Sequence, residues 1–428
     1  MSNNLAAVLD QRSVEPVLQD GAIATRASVG RPALTLYDNL DAVESEWRRF
    51  EQAADCTPFQ TFDWLAAWFR HVGVRSNVTP AIVVGRDNDG EPLFLLPLAV
   101  ERGFVRRLTW LGSDLCDYNA PLLGKDFSVR VPAGEFPKLW RAVCALLQSR
   151  PGHRHDLVAL TKIPEAVGTQ PNPFMALPVN LNPSNAYAAE LHGTWDEYYR
   201  ERRSSATRRR DRTKLKRLGE FGEVRFITPD VRDDIVSTLD TLMEQKARSF
   251  ARMGVTNLFA RPGWREFFVD IATDPRTQHL VHVSRLDAGS IWAATNLGLM
   301  FRGCYYHVLA SYDDGDTSRF GPGAAHLRDL LRYAIEHDLH RFDFTIGDER
   351  YKREWSDTIS SLYDYMAAAT VRGWPEVARA RIARNLKRFI KQNETLWGLF
   401  SRARSVFGSR AAVGTTPDVR KSPPIAPD

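Results

Sequence analysis

Hydrophobic and polar positions change their period twice between residues 312 and 355. Leucines and an alanine recur at i, i+3, i+4 and i+7, which predicts a helix, and apolar residues alternate with polar ones after residue 341, which predicts a short strand. A Gly-Pro-Gly corner at 321–323 precedes the helix, and the sequence GDERYK at 347–352 follows the strand as a predicted polar turn. Because this order lets the two loops meet at one end of a sheet, where ligands of open α/β sheets bind, we take this stretch as the candidate functional region.

Upstream of the glycine corner, the second half of the chain has the pattern of a sheet with flanking helices. Helices are predicted at 231–253 and 262–273, and strands at 224–227, 280–286, 290–299, 303–309 and, after the polar turn, 366–371. Three sequential strands that lead into a corner, a helix and another strand favour one mixed sheet covered by helices.

The first half alternates in the same way. Helices are predicted at 40–50, 62–71 and 137–148, and strands at 34–37, 79–86, 91–101, 106–111 and 156–160. A polar loop at 112–119 and a Pro- and Asn-rich loop at 164–185 connect these elements. The pattern favours a layered domain of helices and strands over a β-sandwich.

Composition narrows the class of protein. The 428 residues suffice for two or three domains, and 57 Lys+Arg against 52 Asp+Glu leave a net charge of +5, which does not indicate a DNA-binding protein. Four scattered cysteines without a C-x-x-C pair argue against a metal site or a disulfide framework. The N-terminus lacks the apolar core of a signal peptide, and the longest apolar run, 93–100, cannot span a bilayer. We therefore expect a protein without a bound metal that is cytoplasmic or in peripheral contact with the inner face of the membrane.

Basic residues are concentrated between residues 200 and 217, where ten bases face two acids. One explanation is a solvated helix face, and the other is a site for an anionic partner: the phosphates of a carrier-linked acceptor, an anionic lipid surface or RNA. Few aromatic residues follow Tyr199, which argues against stacking on RNA bases. A second basic segment, 375–407, is predicted to be an amphipathic helix that either packs on the protein or lies on an anionic membrane.

Three blocks carry a resemblance to a known family: FQTFDWLAAW at 59–68, the basic segment at 195–222, and the stretch 318–355 that contains the glycine corner and GDERYK. They resemble CelD-type (BioF-like) members of the GNAT acetyltransferase superfamily, a group related to the Fem-type aminoacyltransferases of peptidoglycan synthesis. The resemblance implies an α+β fold of two tandem GNAT-like acyltransferase domains, each a mixed central sheet flanked by helices. The expected division is a disordered N-terminus (1–30), an N-terminal GNAT-like domain (31–185), a C-terminal GNAT-like acyltransferase domain (186–372), a basic helical segment (373–408) and a disordered tail (409–428).

The resemblance also implies roles for single residues. The corner would hold the pantetheine and pyrophosphate of acetyl-coenzyme A, or another acyl-coenzyme A, through Arg319, Gly321, Gly323, Ala324 and Ala325. Ser318 stands where the family has Gln or Arg, so a different activated donor stays open. Lys352 would stabilise the oxyanion, Asp343 or Asp348 would be the base and Tyr351 the acid, unless Asp348 only caps a turn and Lys352 pairs with Glu349 at the surface. Contacts to the acceptor are expected from Arg203, Arg209, Asp117, Tyr118, Asn119 and His307.

Three functions are compatible with this pattern. The first is transfer of an acetyl or other acyl group to an amine or hydroxyl of a sugar, polysaccharide or envelope precursor, with a small-molecule donor and an anionic or sugar-containing acceptor. The second is Fem-type aminoacyl transfer from a charged tRNA, which the basic segment would suit and the near-neutral remainder of the chain would not. The third is a non-catalytic scaffold in polysaccharide (cellulose-type) synthesis, with peripheral contact to the inner face of the membrane.

Overall fold

The computed structural model describes residues 32–382, and two large β-sheets, one two-stranded sheet and covering helices make up this part of the chain. The expectations for 1–30, for the basic segment beyond residue 382 and for 409–428 lie outside the described residues. The strands are β1 Ala33–Tyr37, β2 Val78–Arg86, β3 Pro92–Glu101, β4 Arg107–Trp110, β5 Leu122–Leu123, β6 Leu157–Pro164, β7 Ala166–Val167, β8 Gln170–Pro171, β9 Asn180–Leu181, β10 Ala186–Glu190, β11 Val224–Ile227, β12 Val281–Ala288, β13 Ile291–Phe301, β14 Cys304–Tyr312, β15 Arg341–Ile346, β16 Thr358–Ser360 and β17 Leu362–Ala368.

The helices agree with the apolar periods of the sequence in most places. They are α1 Glu44–Ala53, α2 Phe62–His71, α3 Phe127–Arg130, α4 Phe136–Ser149, α5 Trp195–Arg202, α6 Ser205–Leu218, α7 Arg232–Arg252, α8 Trp264–Thr273, α9 Pro322–Glu336 and α10 Arg350–Trp355. Residues 374–382 are also helical. The α+β class and the mixed, helix-flanked sheets predicted from the sequence are confirmed.

One strand from the second half of the chain completes the sheet of the first half. The first sheet has the order β1-β2-β3-β4-β6-β17-β9, with β5 on β3, and the second has the order β11-β12-β13-β14-β15-β10-β16. β10, which the sequence analysis did not predict, lies between β15 and β16 in the second sheet. β17, from the end of the predicted second domain, pairs with β6 in the first sheet. Each sheet is therefore completed by residues that are distant in sequence.

A shared apolar core joins the halves. Trp47 and Trp64 from the first half are buried in the same cluster as Phe267 and Phe268 from the second. The rings of Trp64 and Phe267 meet edge to face with their centroids 5.0 Å apart. A polar tie lies beside this core: Arg302, in the β13–β14 turn, donates to the Ala54 carbonyl at 2.7 Å and to the Glu51 carbonyl at 2.5 Å, and so satisfies the end of α1.

Four local predictions were wrong in detail. The basic segment is not one helix, because Ser204 accepts a hydrogen bond from the Thr207 N–H and begins α6 separately from α5. GDERYK is a turn only as far as Glu349, since Arg350 begins α10. The helix predicted at 40–50 begins at Glu44, with Val43 at its N-cap. The last strand occupies Leu362–Ala368 in place of 366–371.

Candidate active site

The site lies where β14 and β15 separate. The two strands run parallel and pair only at Cys304–Arg341, Tyr305–Phe342 and Tyr306–Asp343. Beyond these pairs, β14 continues along β13 to Tyr312, whereas β15 stays paired with β10 and diverges from β14. The second half of β14 therefore has an open edge, whose backbone N–H and C=O groups can bind an extended ligand as an added strand would.

Thr345 stands at the point of separation in a strained conformation. Its φ of +59° lies in the left-handed region, which is rare for a β-branched residue. Its N–H donates to the Asp343 carboxylate at 2.7 Å, and its hydroxyl donates to the His307 carbonyl at 3.3 Å across the gap. Strain held in this way by neighbouring contacts is found most often at functional sites.

Lys352 points into the site from α10. Its side chain is buried, and its Nζ donates to the Ile346 carbonyl at 2.7 Å and lies 3.2 Å from Glu349 Oε2. Gly347, with φ +135°, leaves room for both partners, because a Cβ there would lie 2.3 Å from Glu349 Oε2 and 2.9 Å from Lys352 Nζ. The surface ion pair considered from the sequence is thus a pair between a buried ammonium and an exposed carboxylate.

Further charges surround this ammonium. Lys246 on α7 and Asp117 in the 112–119 loop are each partly buried, and both interact electrostatically with Lys352 and Glu349. Burial raises the pKa of Asp117 and lowers the pKa of Lys246. The Thr345 side chain lies close enough to Asp117 to favour its charged form. Two cations and two carboxylates from four elements therefore meet beside the open edge of β14.

The two halves of the chain meet directly at Asp343. The Tyr118 hydroxyl donates to Asp343 Oδ1 at 2.7 Å, and both side chains are buried. Burial raises the pKa of Asp343 to about 6, although the bonds from Tyr118 and from the Thr345 N–H favour the charged form. Asp343 is buried among these partners, whereas Asp117 is only partly buried.

His307 follows the last β14–β15 pair and faces the same cluster. Its ring is buried and packs edge to face on the Tyr351 ring, with the centroids 6.4 Å apart. The ring also interacts electrostatically with Lys352 and Lys246. Burial lowers the pKa of His307 to about 3, with a smaller contribution from the two lysines. Burial likewise raises the pKa of Tyr351, so that its phenol stays protonated.

The glycine corner lies against the far end of the open edge. Gly321 adopts φ +65° at the N-cap of α9, and a Cβ on Gly323 would approach Tyr312 to 3.2 Å. Ala324 is exposed on the first turn and Ala325 is buried below it. Lys214 of α6 reaches this corner, with its Nζ 3.7 Å from the position of a Cβ on Gly321. A helix N-terminus next to a lysine suits a phosphate.

The remaining predicted site residues lie in other surroundings. Arg203 pairs with Glu354 at 3.1 Å and stacks on the Trp355 ring, so it holds α5 against α10. Asn119 donates to the Thr161 carbonyl, and Asp348 accepts from the Asn185 N–H and the Tyr187 hydroxyl. Arg209 is exposed on α6, and Arg319 stacks on the Phe320 ring.

Sequence reasoning missed Lys246, Glu349 and Thr345 as site residues. Lys246 is one of many charged residues along the long helix α7, so no local signal distinguishes it. Glu349 lies within the GDERYK turn already singled out for Lys352 and could have been included. Thr345 could not be found, because its conformation is imposed by contacts across the sheet.

Among residues 32–382, no group of His, Cys, Asp or Glu side chains is arranged to hold a metal ion. A search of the same residues for a helix long and apolar enough to cross a membrane found none.

Comparisons with known proteins give one family match and several similar folds. Residues 205–353 match the family model "Acetyltransferase (GNAT) domain", a segment that includes α6, the glycine corner and Lys352. FemX matches with a TM-score of 0.52 and 11% identity, over 78% of this chain and 97% of FemX. Two further structures with TM-scores below 0.5 are the C-terminal domain of a putative lysylphosphatidylglycerol synthetase from Agrobacterium fabrum (0.46; 11% identity; 80% of this chain, 96% of that one) and a tandem GNAT protein from the clavulanic acid biosynthesis pathway (0.42; 13% identity; 79% and 98%).

Curated proteins give no significant sequence match. At 11% identity, the likeness to FemX concerns the fold. Residues 205–353 match the GNAT acetyltransferase domain, and the chain is similar in fold to FemX, in agreement with the resemblance to the GNAT superfamily.

Proposed function

We propose that the protein transfers an acyl group from acyl-coenzyme A to an amine or hydroxyl of an anionic or sugar-containing acceptor. The observation that carries this proposal is the open edge of β14 between the charged cluster and the glycine corner. From His307 to Tyr312 this edge spans about 16 Å at the rise of an extended strand. The pantetheine arm of coenzyme A is itself extended and carries two amides, so it fits such an edge with its thioester at the cluster and its pyrophosphate at the corner.

The cluster contains the groups that acyl transfer needs. The acceptor nitrogen or oxygen attacks the thioester carbonyl, and the negative charge that forms on the carbonyl oxygen is stabilised by the Lys352 ammonium. Of the two carboxylates in the cluster, Glu349 is paired with Lys352, whereas the raised pKa of Asp117 suits the removal of the acceptor's proton. When the carbon–sulfur bond breaks, the protonated Tyr351 phenol gives its proton to the leaving thiolate. In this mechanism Asp343 is not the base. Its role is to hold the 112–119 loop in place through the hydrogen bond from Tyr118.

The exposed bases of α6 support the anionic character of a substrate. Arg209, Arg210, Arg212, Lys214 and Lys216 form no ion pair within residues 32–382, and most of this helix is exposed. Lys214 lies at the corner, where it would bind a donor phosphate, and the other bases extend away from it. A charged tRNA in place of acyl-coenzyme A is the second candidate donor, and the length of this exposed basic helix is what favours it.

Calorimetric titration with acetyl-coenzyme A tests the donor. We expect micromolar binding by the unaltered protein and its loss in Ala324→Trp, because the indole would fill the corner from an exposed position without disturbing the core. No binding by the unaltered protein would refute the acyl-coenzyme A proposal. Tight, salt-dependent binding of a charged tRNA in the same buffer would then support the second donor.

Turnover separates binding from chemistry. In Lys352→Met the buried ammonium is replaced by an apolar chain of similar length, so we expect acetyl-coenzyme A affinity within about threefold and thiol release with an amino-sugar acceptor lowered about 100- to 1,000-fold. Lys138→Met, at an exposed lysine of α4, is the matched control and should leave both unchanged. Equal turnover by Lys352→Met and the unaltered protein would remove Lys352 from the mechanism.

A further inference from the structure

A chain of buried hydrogen bonds leads through the second sheet to His307. Asn296 on β13 is completely buried, and its amide lies between the side chains of His307 and Tyr305 and two backbone groups. These backbone groups have fixed polarity, since a peptide N–H can only donate and a peptide C=O can only accept.

The two backbone groups determine which side of the Asn296 amide is the oxygen and which is the nitrogen. With its oxygen toward the Gly298 N–H (3.3 Å) and its nitrogen toward the Leu309 carbonyl (3.1 Å), Asn296 satisfies both; the reverse orientation satisfies neither. Its oxygen then accepts from the Tyr305 hydroxyl at 2.7 Å, and its nitrogen donates to His307 Nε2 at 3.3 Å. The lone pair of Nε2 is thus engaged by an N–H donor.

The rest of the chain is consistent with this direction. The Tyr305 proton is committed to Asn296, so His282 Nδ1, 2.8 Å away, must carry the proton and donate to the Tyr305 oxygen. His282 Nε2 is left as the acceptor for the Thr228 hydroxyl at 3.2 Å. Every donor in the series therefore points toward His307.

The neighbours of His307 also favour its neutral form. Lys246 on α7 and Lys352 on α10 are the charged groups that act on the ring, and both disfavour a positive charge there. The Tyr351 and Phe342 rings pack beside it, and a neutral His326 lies within electrostatic range. A neutral ring with Nε2 as acceptor carries its proton on Nδ1.

We propose that Asn296 is a positioning residue that fixes His307 as an Nδ1–H donor, and that this N–H shares with Lys352 the stabilisation of the oxyanion. The assignment rests on the acyl transfer proposed above, which it deepens: His307 is a hydrogen-bond donor to the reacting carbonyl and not a base. A base at this position would need a lone pair, and the only lone pair of the ring is engaged by Asn296.

Nitrogen-15 NMR of the unaltered protein measures the tautomer without any substrate. With histidine labelled at both ring nitrogens and the His307 signals identified by their loss in His307→Asn, we expect a neutral ring protonated at Nδ1 from pH 6 to 8. A ring protonated at Nε2, or a charged ring at pH 7, would overturn the inference. An Nδ1–H ring in a protein that neither binds acetyl-coenzyme A nor transfers its acyl group would instead refute the proposed function and with it the role of the N–H.

Two variants then test the consequence for catalysis. Asn296→Asp offers His307 only acceptor oxygens, so we expect the proton to move to Nε2 or the ring to become charged, and turnover to fall about tenfold or more with acetyl-coenzyme A affinity unchanged. Gln245→Glu is the matched control, because it places a carboxylate at an equally buried amide, bonded to Thr295 and the Trp292 carbonyl, that does not touch His307. Turnover by Asn296→Asp equal to that of Gln245→Glu would refute the positioning role.

Substitution of His307 itself distinguishes donor from base. The amide of His307→Asn can present an N–H near the place of Nδ1, whereas the carboxylate of His307→Asp presents only an acceptor there. We expect the asparagine variant to retain at least tenfold more turnover than the aspartate variant. The reverse order would show that the ring acts as a base.

Discussion

Removal of the Tyr118 hydroxyl should destabilise the protein by an amount that depends on pH. Tyr118→Phe deletes the 2.7 Å hydrogen bond to Asp343 and changes little else, because the ring remains packed against Phe59 and Tyr306. The bond joins residues 225 positions apart in sequence. The stability lost in Tyr118→Phe therefore reports how much this contact between the 112–119 loop and β15 contributes to the fold.

The magnitude follows from burial. Tyr118 and Asp343 are 6% and 8% exposed, so solvent cannot replace the lost donor. A hydrogen bond to a buried charged group contributes about 1.5 to 3 kcal/mol, and one to a neutral group contributes about 1 kcal/mol. The size of the loss therefore depends on whether Asp343 is ionised.

The direction with pH follows from the raised pKa. Burial raises the pKa of Asp343 from its ordinary 3.8 to about 6, so its contribution to stability is fully present below pH 4 and is lost as the pH rises through 6. Without the Tyr118 donor the charged form of Asp343 is less favourable, so the pKa of Asp343 rises further. The free energy of unfolding therefore keeps falling to a higher pH in the variant than in the unaltered protein. We expect Tyr118→Phe to lower the free energy of unfolding by about 2 kcal/mol at pH 8 and by about 1 kcal/mol or less at pH 5.

Urea unfolding at pH 5 and pH 8, followed by tryptophan fluorescence, measures both values. The matched control is Tyr363→Phe, which deletes a 2.6 Å bond from a tyrosine to an exposed carboxylate, Glu165. Its effect should stay below about 0.5 kcal/mol at both pH values. A pH-independent loss in Tyr118→Phe, or a larger loss at pH 5 than at pH 8, would refute the assigned ionisation of Asp343.

Two further substitutions test the tie between the halves and the space around Lys352. Arg302→Ala leaves the Ala54 and Glu51 carbonyls without their donor and should lower the free energy of unfolding by about 1 to 3 kcal/mol in urea. Arg217→Ala, which removes only an exposed pair with Glu220, should change it by less than about 0.5 kcal/mol. Equal effects would show that the carbonyls are satisfied in another way. Gly347→Ala places a Cβ 2.3 Å from Glu349 Oε2 and 2.9 Å from Lys352 Nζ and should lower turnover at least tenfold, about the effect of a misplaced catalytic group, while donor affinity stays the same. Gly90→Ala, where φ is +87° and no atom lies within 4 Å, isolates the backbone strain, and unchanged turnover in Gly347→Ala would contradict the proposed placement of Lys352.

The candidate site could be predicted only where its residues share a local pattern. The glycine corner and Lys352 were found because both lie in one stretch of changing period and motif resemblance. Tyr118 and Asp343 were both named, but their contact was not, since a hydrogen bond over 225 positions leaves no trace in either segment. Lys246 and Thr345 acquire their roles from neighbours on other elements. Three expectations remain predictions: the location in the cytoplasm, the acceptor and the CelD-type subgroup.

The sequence by itself determined the local elements of this protein. α2 occupies Phe62–His71 as predicted, and the meander, corner, helix and strand of the second sheet follow their apolar periods, because local burial patterns and caps depend on neighbouring residues. Only the tertiary structure decided that β10 would lie between β15 and β16, that β17 would join the first sheet and that β14 and β15 would separate after three pairs. Strand pairing is decided by long-range complementarity of edges and faces, and the raised and lowered pKa values of the site arise from burial to which both halves contribute.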